Sequence, residues 1–339
     1  MNIKKILYGC SLLLAIFFTA CSSNPTDPNS NHNLDLPVIC PPYLKIGDTI
    51  GIVNISSKIS DSPDRCDSLL EVIRSWGFHL KLGKHLYDKA GGWFPASDEE
   101  RASDLQEMLD NKNVRAVIFF RGGYGAVRTL DFLNLMQLRK DPKWLVGYSD
   151  LTTIHNALRK IKVQSIHATM PINFKLNTID ESAISLREAL MGRLKEYNIS
   201  YDSFNQEGSA EGTLVGGNLS LLTTLNGTDI DLDLTSAPTI LLIEDVGESI
   251  YAIDRMMQLL KRSGKLKAVK GIIFGTMTNI SSQSSWNKSL NEMLKEYTEN
   301  LEIPVIFNFP SGHSYPNMSL YMGRKIRIDV TYTSSKITF

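Results

Sequence analysis

The run Lys143-Trp144-Leu145-Val146-Gly147-Tyr148-Ser149-Asp150-Leu151-Thr152-Thr153 breaks an apolar segment at a glycine and delivers a serine to the start of a helical pattern. A serine hydroxyl is a weak nucleophile at neutral pH. It needs a neighbouring base, a turn that exposes it, and backbone donors for the charge that builds on an attacked carbonyl oxygen. A strand-to-helix turn supplies the exposure and the donors together. The same serine also suits a helix N-cap, with Asp150 in the first helical turn, and caps are far commoner than nucleophiles.

A base and an acid must accompany such a serine. Six histidines are available. His32 lies in a polar N-terminal stretch, His79 and His85 flank an early strand, and His155 sits six residues into the helix after Ser149, pointing elsewhere. His167 follows a strand and could reach the serine. His313, in the loop Phe309-Pro310-Ser311-Gly312-His313-Ser314 after an apolar strand, is placed as a general base would be. For the acid, Glu244 ends the apolar strand Thr239-Ile240-Leu241-Leu242-Ile243, where a carboxylate is costly without a partner. Asp245 and Glu248 lie close by, and any of the three could instead cap the helix beginning near Ile250.

Arg121-Gly122-Gly123-Tyr124-Gly125 also follows a strand. It lacks the Lys-Ser/Thr ending of a nucleotide-triphosphate loop and the full spacing of a dinucleotide fingerprint. The preferred reading is a turn whose Gly123 amide, or that of Gly122, joins the Asp150 amide as an oxyanion hole. A plain tight turn is compatible. Arg121, Arg128 and Tyr124 beside it are candidates for holding the substrate, the arginines through a carboxylate. No cysteine or histidine spacing suggests zinc, and no cofactor is expected.

These groups need a scaffold that gathers strand ends. From residue 48 short apolar strands alternate with amphipathic helices: strands at 49–55, 114–120, 145–148 and 163–167, helices at 66–76, 98–109, 126–133 and 150–159. The alternation predicts a mostly parallel sheet with helices on both faces and the reactive groups at the strands' carboxyl ends. Residues 173–207 are weakly patterned apart from a helix at 181–191 and form the expected connection. A second unit follows, with strands at 239–243, 269–274, 304–309 and 325–330 and a helix at 250–263.

Length suggests two domains and composition an ordinary soluble globular protein: 339 residues, 42% hydrophobic and 21% charged. Lys plus Arg equals Asp plus Glu at 36 each, so no basic surplus supports nucleic-acid binding. Lys4 and Lys5 precede an apolar run from Leu7 to Ala20 that is short for a membrane span and reads as a signal peptide. Thr19-Ala20-Cys21-Ser22-Ser23 resembles a bacterial lipoprotein box, which would make Cys21 the lipidated N-terminus. The Asn-, Ser-, Pro- and Asp-rich stretch after it reads as a tether. Cys40 and Cys66 remain, and one disulfide between them is conceivable in an oxidising compartment.

Taken together, the Arg121–Gly125 loop, Gly147-Tyr148-Ser149-Asp150, Gly216-Gly217-Asn218-Leu219, Ile243-Glu244-Asp245 and Gly312-His313 occur in the order and spacing of the LD-carboxypeptidase family of serine peptidases. The resemblance covers residues 41–330. It implies Ser149 as nucleophile, His313 as base and Glu244 as orienting acid, reversing the preference for a cap. It also implies an α/β fold, with a flavodoxin-like N-terminal domain built on a parallel sheet and a second α/β domain rich in β structure. The expected organisation is signal peptide 1–20, lipidated cysteine and tether 21–40, N-terminal domain 41–172, connection 173–207 and C-terminal domain 208–339. The implied activity is removal of the terminal D-alanine from murein tetrapeptides by a homodimeric enzyme that uses no metal; Cys21, not the family, suggests a lipid-anchored place at the bacterial envelope. Two alternatives accompany it. One is an immunity-type hydrolase of peptide-nucleotide antibiotics, for which Trp93 and Trp286 are available to stack a base; the other is an inactive lipoprotein that binds wall peptides.

Overall fold

The computed structural model describes residues 36–89, 92–281 and 286–339. The leader, Cys21 and the tether as far as residue 35 lie outside the described residues. Among the described residues, thirteen strands form two sheets: β1 (Thr49–Val53), β2 (His79–Leu82), β3 (Val114–Phe119), β4 (Trp144–Gly147), β5 (Ser165–His167), β6 (Glu196–Ser200), β7 (Gly208–Asn218), β8 (Thr239–Val246), β9 (Gly271–Thr278), β10 (Val305–Ile306), β11 (Leu320–Met322), β12 (Lys325–Val330) and β13 (Ser334–Thr338).

The first sheet has the order β11-β5-β4-β3-β1-β2, with β1 to β5 parallel and β11 antiparallel at the edge. The run 2-1-3-4-5 is the flavodoxin-like order, as expected. Its central strands read as continuous apolar runs because helices cover both faces. Ile50, Ile52, Ile118, Trp144 and Val146 point into one core, and Val53, Val117, Phe119 and Leu145 into the other. The covering helices have local signals of their own. Ser62 caps the helix Pro63–Ser75, whose first position is the proline, and Ser97 and Glu100 form a reciprocal capping box on Asp98–Asp110.

The second sheet runs β10-β9-β8-β7-β12-β13-β6, parallel from β10 to β7 and antiparallel beyond. β8 is buried over seven of its eight residues, as a central strand must be, whereas β12 alternates between buried and solvent-facing positions.

Three features differ from the sequence reading. β6 lies within residues 173–207, the expected connection, yet pairs with β13 in the second sheet. β11 comes from the C-terminal stretch but pairs with β5 in the first sheet. Alternation explains how three residues serve both domains: Tyr321 enters a first-sheet core, while Leu320 and Met322 pack with Leu214, Leu242 and Ile273 of the second. The strand expected over 304–309 is confined to Val305–Ile306, because Asn308 turns to a φ of 54°. Cys40 is exposed and Cys66 is buried, and both are free thiols. Among the described residues, no helix is long and apolar enough to cross a membrane.

Candidate active site

Gly147 ends β4, and a β-carbon there would lie 2.9 Å from Leu151 Cγ, so only glycine lets the chain turn this tightly. Tyr148 is extended; Ser149 then takes a φ of 63°, in the left-handed region that residues with side chains rarely occupy. A single 3-10 turn, Ser149–Leu151, leads into the helix Thr152–Lys160. The Ser149 hydroxyl caps neither element. It is turned outward instead and lies 2.9 Å from His313 Nε2.

On its other side, His313 Nδ1 is 2.7 Å from Glu244 Oε2. Glu244 stands near the carboxyl end of β8 and is fully buried. Glycines make room for it: a β-carbon on Gly312 would lie 2.8 Å from Glu244 Oε2, and one on Gly275 would lie 3.0 Å from Glu244 Cβ. With the proton on Nδ1, the imidazole donates to the carboxylate and keeps Nε2 free to accept from the serine. An imidazole so placed can take the hydroxyl proton and return it to a leaving group, while the carboxylate stabilises the imidazolium formed in between.

The glycine loop closes over the same hydroxyl. A β-carbon on Gly122 would sit 3.3 Å from Ser149 Cβ and 3.5 Å from its Oγ. Gly123 has a φ of 117°, and a β-carbon there would lie 2.3 Å from Ser57 Oγ. Ser57 itself accepts from the Tyr124 amide at 3.1 Å. Burial pushes the Asp150 carboxyl up, and its Oδ2 accepts from Ser56 Oγ at 2.6 Å and the Ala126 amide at 2.8 Å. Asp150 therefore serves the helix of another strand end rather than the first turn of its own.

Residues 50–168 match the LD-carboxypeptidase N-terminal domain, and residues 211–328 match the LD-carboxypeptidase C-terminal domain. The chain is 31% identical over 313 residues to a probable murein peptide carboxypeptidase of Bacillus subtilis, covering 88% of this chain and 93% of that one. The chain belongs to the LD-carboxypeptidase family. It is also similar to the microcin C7 self-immunity protein MccF of Escherichia coli, at 26% identity over 335 residues, with 89% of this chain and 96% of that protein covered. The crystal structure of a muramoyltetrapeptide carboxypeptidase from Oxalobacter formigenes superposes with a TM-score of 0.78 at 27% identity, over 85% of this chain and 97% of that one.

Within this LD-carboxypeptidase fold the other nominated residues take distinct places. Arg121 donates from Nη1 to the Lys58 carbonyl at 2.7 Å and from Nε to the Gly122 carbonyl at 3.2 Å, bracing the glycine loop. Arg128 is paired with Asp98, which lies 2.7 Å away. Tyr124 is half exposed and its ring lies 6.0 Å from that of Phe94. Trp93 is exposed, whereas Trp286 packs against the second-domain core. His167 does not join the serine: it is buried, and its Nδ1 lies 3.2 Å from the Ser311 hydroxyl in the loop that carries His313. Asp245 points away from its neighbour Glu244 and accepts from Asn218 Nδ2 at 3.0 Å, while the Asn218 amide donates to Thr152 Oγ1 at 3.0 Å. That link joins the end of β7 to the helix behind Ser149. Among the described residues, no three His, Cys, Asp or Glu side chains are grouped to hold a metal ion.

Ser56 and Ser57 were not singled out from sequence. Their signal was the polar run Asn54-Ile55-Ser56-Ser57 directly after an apolar strand, at the sheet edge where sites assemble.

His155 pins the elbow from behind. Its Nε2 donates to the Gly147 carbonyl at 2.9 Å and its Nδ1 lies 2.7 Å from the Ser165 hydroxyl. Burial pushes its pKa down to about 4. The unfolded chain then binds a proton near pH 6.5 that the native chain refuses, so stability present above that pH is lost as pH falls towards 4. In urea denaturation, native protein should lose about 1.4 kcal/mol more per pH unit across this window than His155→Gln. Equal slopes would contradict the assignment.

Proposed function

We propose that this chain is a serine carboxypeptidase that removes the terminal D-alanine of murein tetrapeptides. The observation that carries the proposal is the unbroken hydrogen-bonded path from Glu244 through His313 to Ser149, at 2.7 and 2.9 Å. The names of its relatives support the substrate class.

In this reading, the Ser149 oxygen attacks the carbonyl carbon of the peptide bond to D-alanine, on the side of the L-configured centre of the third residue. His313 takes the hydroxyl proton, and the amides of Gly123 and Asp150 receive the oxyanion. Collapse of the tetrahedral intermediate breaks the C–N bond. His313 gives its proton to the departing amine, and D-alanine leaves a tripeptidyl ester on Ser149. A water then loses a proton to His313, attacks the ester and releases the tripeptide, restoring the hydroxyl. One water is consumed and no redox step occurs.

A second reading is hydrolysis of a peptide-nucleotide amide. Similarity to the self-immunity protein supports it, as does the exposed Trp93, whose backbone carbonyl accepts from the Lys58 amide at 3.1 Å next to the bracing contact of Arg121.

Both readings are separated by mass spectrometry of murein tetrapeptide and of a peptide-nucleotide conjugate after incubation with the chain and with Ser149→Ala. The proposal expects the tetrapeptide alone to lose one alanine, with the variant slower by at least about 10³-fold. Cleavage of the conjugate alone would favour the second reading, and undiminished activity of the variant would remove Ser149 from its role.

The proposal extends to a homodimer held at the envelope by lipid on Cys21, on the strength of the family resemblance and of the charged and apolar leader. The chain should partition with membranes and take up labelled fatty acid, and Cys21→Ser should lose the label. A variant labelled as strongly as the native chain would refute the anchor.

A further inference from the structure

The residue following a nucleophile at an elbow is expected to lend its amide to the oxyanion and to turn its side chain towards its own helix. The Asp150 side chain departs from the second half of that pattern. It is only 1% exposed, and its Oδ2 reaches across the sheet edge to the loop after β1, through Ser56 Oγ at 2.6 Å, and to the loop after β3, through the Ala126 amide at 2.8 Å. Both contacts are long-range, 94 and 24 residues apart in the chain.

The two donor loops are themselves tied together. Ser57 accepts from the Tyr124 amide, and its hydroxyl occupies the space that a Gly123 side chain would need. Below them, the fully buried Arg101 donates to the Ile55 carbonyl and, at 3.2 Å, to the Gly125 carbonyl. Asn54 closes the first loop on itself, donating to the Ser57 carbonyl at 2.9 Å. Three strand ends are therefore joined in a ring, and the one member that belongs to the serine elbow is the Asp150 carboxylate.

Burying a carboxylate is costly, and a helix N-terminus could be satisfied more cheaply by a surface residue. What the buried tie adds is position. The two nominated oxyanion donors, the amides of Gly123 and Asp150, come from different loops, and a displacement of about 1 Å between them would cost on the order of 10²-fold in rate.

We propose that the Asp150 side chain is a positioning residue that holds the glycine loop against the serine elbow, so that the Gly123 and Asp150 amides converge on one oxyanion. This rests on the reading of Ser149 as the nucleophile. Asp150 touches no reacting atom through its carboxylate; it acts through the two amides.

The experiment compares the whole chain with Asp150→Ala, Asp150→Asn and Ser56→Ala. It measures kcat and KM on murein tetrapeptide, the affinity of a peptide boronate that forms a tetrahedral adduct on a serine, and thermal unfolding. Asparagine keeps an amide oxygen that can accept from both Ser56 and Ala126; alanine keeps none. Asp150→Ala should lower kcat by about 10²-fold and boronate affinity by a similar factor, with KM within about threefold of native. Asp150→Asn should restore kcat to within about tenfold of native, and Ser56→Ala, which loses one of two ties, should fall between.

A purely structural role would instead lower the folded fraction while leaving boronate affinity per folded molecule unchanged, and that result would overturn the proposal. So would Asp150→Asn being as impaired as Asp150→Ala. Should Asp150→Ala fail to fold, Ser56→Ala decides, since an unaltered kcat and boronate affinity there would overturn the tie. A native chain that binds boronate but leaves murein intact would fault the substrate assignment and still allow the positioning test. A native chain inert to both would overturn the nucleophile and the positioning role together.

Discussion

A carboxylate sealed away from water constrains everything around it. Glu244 stands on a central strand with no exposed surface, and the described residues give its Oε1 no hydrogen-bond partner. An ionised carboxylate in such a place costs several kcal/mol in lost hydration. The contact that offsets this is the imidazole of His313, which must therefore be delivered at hydrogen-bond distance whenever the chain is folded. The requirement propagates outward. Gly275 and Gly312 must lack side chains to let the two segments meet, and Asn317 holds the turn by accepting from the Gly312 amide at 3.0 Å. Asn317 is held in turn by Ser182, on the helix Glu181–Leu190 of the connecting segment.

Ser149, on the far side of the His313 ring from Glu244, belongs to the other domain, so the fold must register two sheets against each other. Contacts near the site help to do this. β11 shares its side chains between both cores, the Asn218 amide docks on Thr152 in the helix behind Ser149, and the Gly217 backbone passes so near Thr152 that a β-carbon would lie 2.5 Å from its hydroxyl. The strain at Ser149, with its positive φ, is borne by the same scaffold: Gly147 makes the turn possible, and His155 holds the Gly147 carbonyl from behind. A strained conformer of this kind persists only where its surroundings over-determine it.

The sequence made the chemical groups legible where they stand at the ends of strongly apolar strands. Ser149 after β4 and Glu244 in β8 are both polar residues where an apolar run stops, and that signal is local. His313 was harder to isolate from residues alone, because His167 also follows a strand; they differ in that Ser311 engages His167, a contact made only when the chain has folded. The Asp150 carboxylate misled local reasoning for the same cause, since its partners lie in two other loops. β11 and β6 were missed for different reasons. Three residues are too few to show periodicity, and β6 is an edge strand whose exposed positions Glu196, Asn198 and Ser200 read as connection.

The central claim is that one hydroxyl, activated by one imidazole from the other domain, is the reactive group of this chain. Peptide mapping after treatment with an organophosphonate, on the native chain and on His313→Ala, tests it most directly. The account predicts a single adduct on Ser149 in the native chain and its loss in the variant. An adduct at another residue, or undiminished labelling of Ser149 without His313, would contradict it.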